Sequence, residues 1–248
     1  MGLGIEFAWA QWKKEEIQEG YLVTGMLMPL IIPISCPLWM LALSIAFAVI
    51  LCKEIFGGTG MNIFNVALSA RAFLFFSYPS EMTGDTVWVA NHSIFGLGNT
   101  LPDATTMATP LGELAQHTDI PYTINEMMIG LIPGSVGETS VIAIALGAIL
   151  LLLTGIASWK TMFSVFAGGG IMAVLFQSLG MTPIEWYEHL ILGGFCFGAV
   201  FMATDPVTSA RTETGKYIYG ALIGVMTVII RVMNPCLLYT SPSPRDAT

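Results

Sequence analysis

Val141-Ile142-Ala143-Ile144-Ala145-Leu146-Gly147-Ala148-Ile149-Leu150-Leu151-Leu152-Leu153 is an apolar run with no charge and no proline, at the heart of a hydrophobic interval of roughly 139–157. About 20 apolar residues carry a helix across the hydrocarbon of a bilayer. Outward from this run, further hydrophobic intervals lie at roughly 21–36, 38–55, 62–78, 162–179, 190–204 and 217–233. The chain of 248 residues is 54% hydrophobic and only 10% charged, where soluble domains carry about 25% charged residues. Its mean hydropathy is +0.72. The expected fold class is all-α: a polytopic membrane helical bundle with broken or half helices and one long outer-side loop.

The formal net charge of −8 and the lack of a basic cluster give nucleic acid nothing to bind. Cys36, Cys52, Cys196 and Cys236 show no C-x-x-C spacing, so neither a disulfide framework nor a zinc site is expected. His92, His117 and His189 fall in expected loops at no metal-ligand spacing. Walker A, Rossmann, haem-attachment and catalytic-triad patterns are missing as well.

Irregularities within the hydrophobic intervals point to sites. Pro29, Pro33 and Pro37 interrupt the first, and such breaks persist at membrane depth where protein or a cavity satisfies the freed backbone groups. Arg71 lies near the middle of the third, where a charge should face the bundle interior or water. Between the second and third stands Gly57-Gly58-Thr59-Gly60. It reads either as the junction of half-helices at a midplane site or as a short cytoplasmic turn between two full spans. Two carboxylates remain. Glu54 ends the second interval beside Lys53, and the two can neutralise each other. Asp205 lies in Thr204-Asp205-Pro206-Val207-Thr208. Carboxylate and hydroxyl oxygens suit a hard cation, which makes Asp205 and Glu54 candidates for an ion path. The alternative for Asp205 is a helix end paired with Arg211.

Orientation follows from the bases. The interval 80–138 holds no Lys or Arg but carries Glu81, Asp85, Asp103, Glu113, Asp119, Glu126 and Glu138, and the turn 180–189 is likewise base-free. Lys13, Lys14, Lys53, Lys160, Arg211 and Lys216 fall in the other set of connections. The positive-inside rule then puts both base-free connections outside. The long one ends in Pro133-Gly134-Ser135-Val136-Gly137-Glu138-Thr139-Ser140, where Ser135 and Glu138 have capping-box spacing. Within it lies Asp103-Ala104-Thr105-Thr106-Met107-Ala108-Thr109-Pro110-Leu111. By itself this is a hydroxyl-rich loop in which Thr109 caps a helix begun at Pro110.

The same stretch resembles the flavin-attachment motif D-x-x-S/T-G-A-T of the NqrB membrane subunits of Na⁺-translocating NADH:quinone oxidoreductases and of the RnfD subunits of the related Rnf complexes, with Met107 where the pattern has Gly. The likeness continues through Glu19-Gly20-Tyr21-Leu22-Val23-Thr24-Gly25, Lys53 to Gly60, Arg71 to Phe76 with Tyr78-Pro79, residues 133–140, Ile156-Ala157-Ser158-Trp159-Lys160, Phe201 to Val207, and Arg231-Val232-Met233-Asn234-Pro235. The resemblance implies FMN in phosphoester linkage to Thr109, with Asp103, Thr106 and Ala108 around it. It brings Ser135 and Glu138 toward the phosphate or flavin ring, and puts Gly57, Gly58 and Gly60 near a quinone or riboflavin. It further implies ubiquinone, Na⁺, a second FMN-carrying subunit, the other pump subunits and a flavin transferase as partners, in a bacterial inner membrane. Residues 1–235 would form one membrane domain, incomplete at both ends, and 236–248 a non-native tail. Two other functions stay open at this point: the RnfD role in an Rnf ion-translocating ferredoxin:NAD oxidoreductase, and a urea-transporter-like channel with no redox role.

Overall fold

The computed structural model describes residues 1–14, 21–33, 36–58, 60–82, 124–130, 135, 137, 139–182 and 184–233. Among these the regular elements are helical, with no strand, as the all-α expectation requires. The chain divides into two compact units, Met1–Met82 and Thr83–Thr248.

In the first unit, α1 (Gly2–Lys13), α2 (Tyr21–Ile31) and α3 (Leu38–Cys52) are followed by a 3₁₀ turn, Glu54–Phe56, then α4 (Val66–Ser77) and the single turn α5 (Pro79–Met82). Helix α3 starts immediately after Pro37, where a proline cannot continue a preceding helix. It packs on α4, with Phe47 stacked on Phe73 at 4.4 Å, and Ala48 and Val49 of α3 and Ala70 and Leu74 of α4 are fully buried. The interval expected from residue 62 becomes helical only at Val66, because Asn65 caps it: its Oδ1 accepts from Ala67 N at 3.0 Å and Leu68 N at 3.2 Å. Pro29 is accommodated inside α2. Helix α1 is a departure from the sequence expectation. Lys13, placed by the charge pattern in a connection, lies in its last turn, which Lys14 closes in a left-handed conformation, φ 58°.

In the second unit come α6 (Ile124–Ile129), α7 (Val141–Leu153), α8 (Trp159–Ser178), α9 (Trp186–Ile191), α10 (Phe195–Phe197), a π-helical turn Gly198–Met202, and α11 (Glu213–Met233). Helix α7 does not use the expected Ser135–Glu138 capping box. It begins at Val141 with Ser140 as cap, the Ser140 hydroxyl accepting from Ala143 N at 3.3 Å. The hydroxyl directly before the apolar run is the one in reach of the first free amides.

Helices α8 and α11 run parallel. Gly220 faces Thr161 and Ser164, Gly224 faces Val165 and Gly169, and further along Ala173 and Phe176 pack with Val228. A Cβ at Gly220 would strike Ser164 Oγ, and one at Gly224 the Val165 carbonyl, so the backbones approach as small residues permit. At their starting ends Glu213 bonds both Lys160 and Lys216. The connections bearing those bases therefore share one face, as the charge pattern predicts.

Two parallel neighbours require the chain between them to return. That return is the interval expected as a span at 190–204, and it is discontinuous. Helix α9 is tied to the far end of α8 by Gln177, which bonds Glu185 and Trp186. The chain breaks at Leu192–Gly194, with Gly193 at φ 65° where a side chain would be strained. It then descends through Phe195, Ala199 and Ala203 along Val165.

Leu38–Phe56, Trp159–Ser178 and Glu213–Met233 are long and apolar enough to cross a membrane. Leu153 at 83% and Ile171 at 72% exposure project from the second unit, an arrangement suited to lipid and not to water. The protein is a multi-pass membrane protein.

Candidate functional site

Unit one gathers its polar groups at the end of α3. Lys53 Nζ is paired with Glu6 Oε1, with side-chain exposures of 4% and 6%. The sequence expectation that Lys53 neutralises Glu54 is thus corrected: α1 brings Glu6 into reach, and a buried ammonium takes a carboxylate that shares its burial. Glu54 is itself buried in the 3₁₀ turn, where its carbonyl accepts from Lys13 Nζ at 3.4 Å. That bond puts the ends of α1 and α3 on one face. Glu6 Oε2, Trp9 Nε1 and Asn62 Oδ1 are buried without a hydrogen-bond partner among the described residues. Gly57, Gly58 and Gly60 follow with φ of 116°, 88° and 91°. This is the backbone of a Gly-rich turn at a helix end, and it leaves main-chain groups open to close approach.

Unit two brings Asp205 and Thr208 together. Asp205 Oδ2 accepts from the Thr208 hydroxyl at 2.9 Å, and Oδ1 from Val207 N at 3.1 Å. Thr204 is separated from them, its buried hydroxyl donating back to the Val200 carbonyl. The loop therefore offers one carboxylate and one hydroxyl in register, not the three side chains expected. Among the described residues no group of three His, Cys, Asp or Glu converges as a metal site. Cys36, Cys52 and Cys196 are buried, and none forms a disulfide among the described residues.

Ser135 is almost completely buried, and its hydroxyl has no partner among the described residues. Asp103, Thr106, Ala108, Thr109 and Glu138, like the tail 236–248, lie outside the described residues.

Two constellations escaped the sequence reading. The first is Glu6 with Lys53, whose only signal is a lone carboxylate in the apolar stretch Gly2–Ala10. The second surrounds His189, which was expected in a loop. It is instead buried in α9, with Nε2 3.1 Å from Thr182 Oγ1, while Arg231 of α11 donates to the His189 carbonyl. Its signal is an arginine close to the end of the apolar interval 217–233.

A family model described as NQR2, RnfD, RnfE family matches residues 1–237. The chain belongs to this family. The B-type subunit of the Na(+)-translocating NADH-quinone reductase of Chromohalobacter salexigens is 48% identical over 239 residues, covering 93% of this chain and 56% of the relative. The protein of the same name from Ectopseudomonas mendocina is 47% identical over 241 residues, covering 93% and 57%. That from Klebsiella pneumoniae is 45% identical over 237 residues, covering 90% and 55%. This NQR2/RnfD/RnfE chain thus spans about half the length of the curated relatives it matches.

Proposed function

We propose that this chain is the membrane subunit of a sodium-pumping NADH:quinone oxidoreductase, with FMN held in phosphoester linkage on Thr109. The observation that carries the reading is the Asp103 to Thr109 stretch, in a family member whose relatives at 45–48% identity are named as B-type subunits of Na(+)-translocating NADH-quinone reductase. Thr109 would supply the hydroxyl oxygen of that phosphoester, with Asp103, Thr106 and Ala108 beside it in the motif. Among the described residues Ser135 fits such a group, since a buried hydroxyl without a partner needs an acceptor or donor to offset its lost hydration. When bound, a flavin supplies the redox chemistry that side chains lack.

In this reading electrons arrive at the outer face from a second FMN-carrying subunit and leave to ubiquinone. The Gly57–Gly60 turn gives a riboflavin or quinone ring close access to backbone. Na⁺ is the cargo, moved outward across a bacterial inner membrane, with Asp205 and Glu54 along its path. The carboxylate and hydroxyl of Asp205 and Thr208, side by side, are hard oxygen donors of the required kind.

The test uses the full-length parent, made with its flavin transferase and the other subunits. Denatured protein fluoresces as a flavin band in a gel, and Thr109→Ala abolishes that band. Fluorescence that survives the substitution overturns the assignment. Ubiquinone reduction that depends on Na⁺ separates the pump from an Rnf component and from a channel.

A further inference from the structure

The discontinuous return of unit two is met at its break by one side chain from another helix. The last α-helical bond of α9 runs from Leu192 N to the Glu188 carbonyl. Leu192 then turns to φ −71°, ψ 136°, and Gly193 to φ 65°. Leaving the helix frees carbonyls that the next turn would have used, and His189 and Leu192 are 1% and 0% exposed, beyond the reach of water. Arg231 reaches both carbonyls from α11: Nη1 donates to His189 O, and Nη2 to Leu192 O at 3.2 Å. A guanidinium is a planar fork that fixes two acceptors in one plane at one spacing. Such a group at membrane depth persists by pairing, backbone carbonyls included.

Both carbonyls lie on the near side of the break, His189 in the last turn of α9 and Leu192 at its end, and what lies beyond the break moves with it. Phe195 packs over Gly169, Ala199 and Ala203 on Val165, and Phe201 over Gly147 of α7. The same segment leads directly to Thr204 and Asp205. A residue kept extended advances the chain by about 3.3 Å, and a helical one by about 1.5 Å. Winding Leu192–Gly194 into a continuous helix would shift the descending segment along its axis by a few ångströms. It would also turn the segment by about 100° per residue, taking Phe195 off Gly169 and Asp205 out of its loop.

The geometry points to Arg231 as a positioning residue. By clamping the carbonyls of His189 and Leu192 it keeps the span broken, and so sets where the Ala203–Thr208 loop with Asp205 lies. This rests on the reading of Asp205 as part of the sodium path. Arg231 is tied to α11, which runs along α8, so the long helix pair provides the fixed frame and the break is registered against it.

The test uses the assembled full-length complex in membrane vesicles, with every cysteine other than Cys196 changed to Ser. Cys196, 6% exposed and donating to the Leu190 carbonyl at 3.1 Å, reports on the segment beyond the break. With Arg231 present it resists N-ethylmaleimide. Arg231→Met accelerates its modification at least tenfold and raises the Na⁺ concentration for half-maximal quinone reduction severalfold, with in-gel flavin fluorescence unchanged. Arg231→Lys, whose single ammonium cannot hold both carbonyls in one plane, gives an intermediate rate and keeps the test decisive where Arg231→Met does not accumulate. A Cys196 rate within twofold of the parent in the variant that accumulates overturns the clamp. Faster modification with an unchanged Na⁺ requirement overturns the positioning of Asp205. The alkylation readout needs neither Na⁺ nor quinone, so its outcome stands apart from the pump reading, which falls on the loss of Na⁺-dependent quinone reduction in the parent itself.

Discussion

A lysine and a glutamate removed together from water are bound to one another by the cost of separating them. Lys53 and Glu6 meet at 4% and 6% side-chain exposure, so deleting one leaves an uncompensated charge in the interior. Lys53→Met alone lowers stability by about 3–5 kcal/mol, whereas Lys53→Met with Glu6→Leu recovers most of it. Thermal unfolding in detergent of the four members of this cycle checks the coupling, and additive losses would refute it. Asp205 poses a different question, because its carboxylate organises a loop as well as standing on the proposed ion path. Asp205→Asn keeps an acceptor for the Thr208 hydroxyl but loses the charge. The Na⁺ concentration for half-maximal quinone reduction then rises severalfold with flavin content intact. A loop-forming role alone leaves the Na⁺ titration where it was.

Helices α8 and α11 show what holds elements together where lipid removes the hydrophobic incentive to associate. Their contact is made by Gly168, Gly169, Gly220 and Gly224, with the Ser164 hydroxyl donating to the Lys216 carbonyl at 3.2 Å. Close backbone approach and interhelical hydrogen bonds replace large side chains at such contacts. Gly224→Val would drive a side chain into the Val165 carbonyl and the Gly169 amide. The expected cost is about 1–3 kcal/mol or more, from overpacking against backbone that cannot yield. Leu222→Ala, on the same helix at 61% exposure, leaves the unfolding midpoint within error. Equal losses for the two would mean that the helix contact lies elsewhere. At the same scale, α7 shows why helix starts are harder to read than helix bodies. Ser135 and Ser140 both precede the apolar run, and only the folded chain selects Ser140 as the cap.

For the molecule as a whole, the two sets of connections carry the topology. Glu213 bonded to Lys160 and Lys216 puts the starts of α8 and α11 on one face, and Lys13 bonded to the Glu54 carbonyl does the same for the ends of α1 and α3. The positive-inside rule predicts that each of these faces is cytoplasmic. A cysteine introduced at Thr212 is therefore labelled by an impermeant maleimide only after the cells are opened. Cysteines at Ser93 and Thr118, in the base-free interval, are labelled in intact cells. The reverse pattern would invert the protein and put Thr109 on the wrong side for the proposed electron path.

The class of this protein and the bodies of its spans were legible in the order of its residues. Apolar runs such as Val141–Leu153 have one stable disposition in a bilayer, with every backbone group bonded within its own helix. That order also determined the family, through contiguous motifs, and the expected sidedness of the loops, through where Lys and Arg are missing. The features that emerged only on folding depend on residues far apart in the chain. Glu6 was legible as a carboxylate and not as the partner of Lys53, because 46 intervening residues must fold before the two meet. Similarly, the interval 190–204 was legible as apolar and not as broken. Its break is stabilised by Arg231, a residue on another helix whose guanidinium replaces the hydrogen bonds that local winding would have made. Local pattern specifies where a helix is favourable. Whether it is interrupted depends on whether some distant group can satisfy the carbonyls that the interruption exposes.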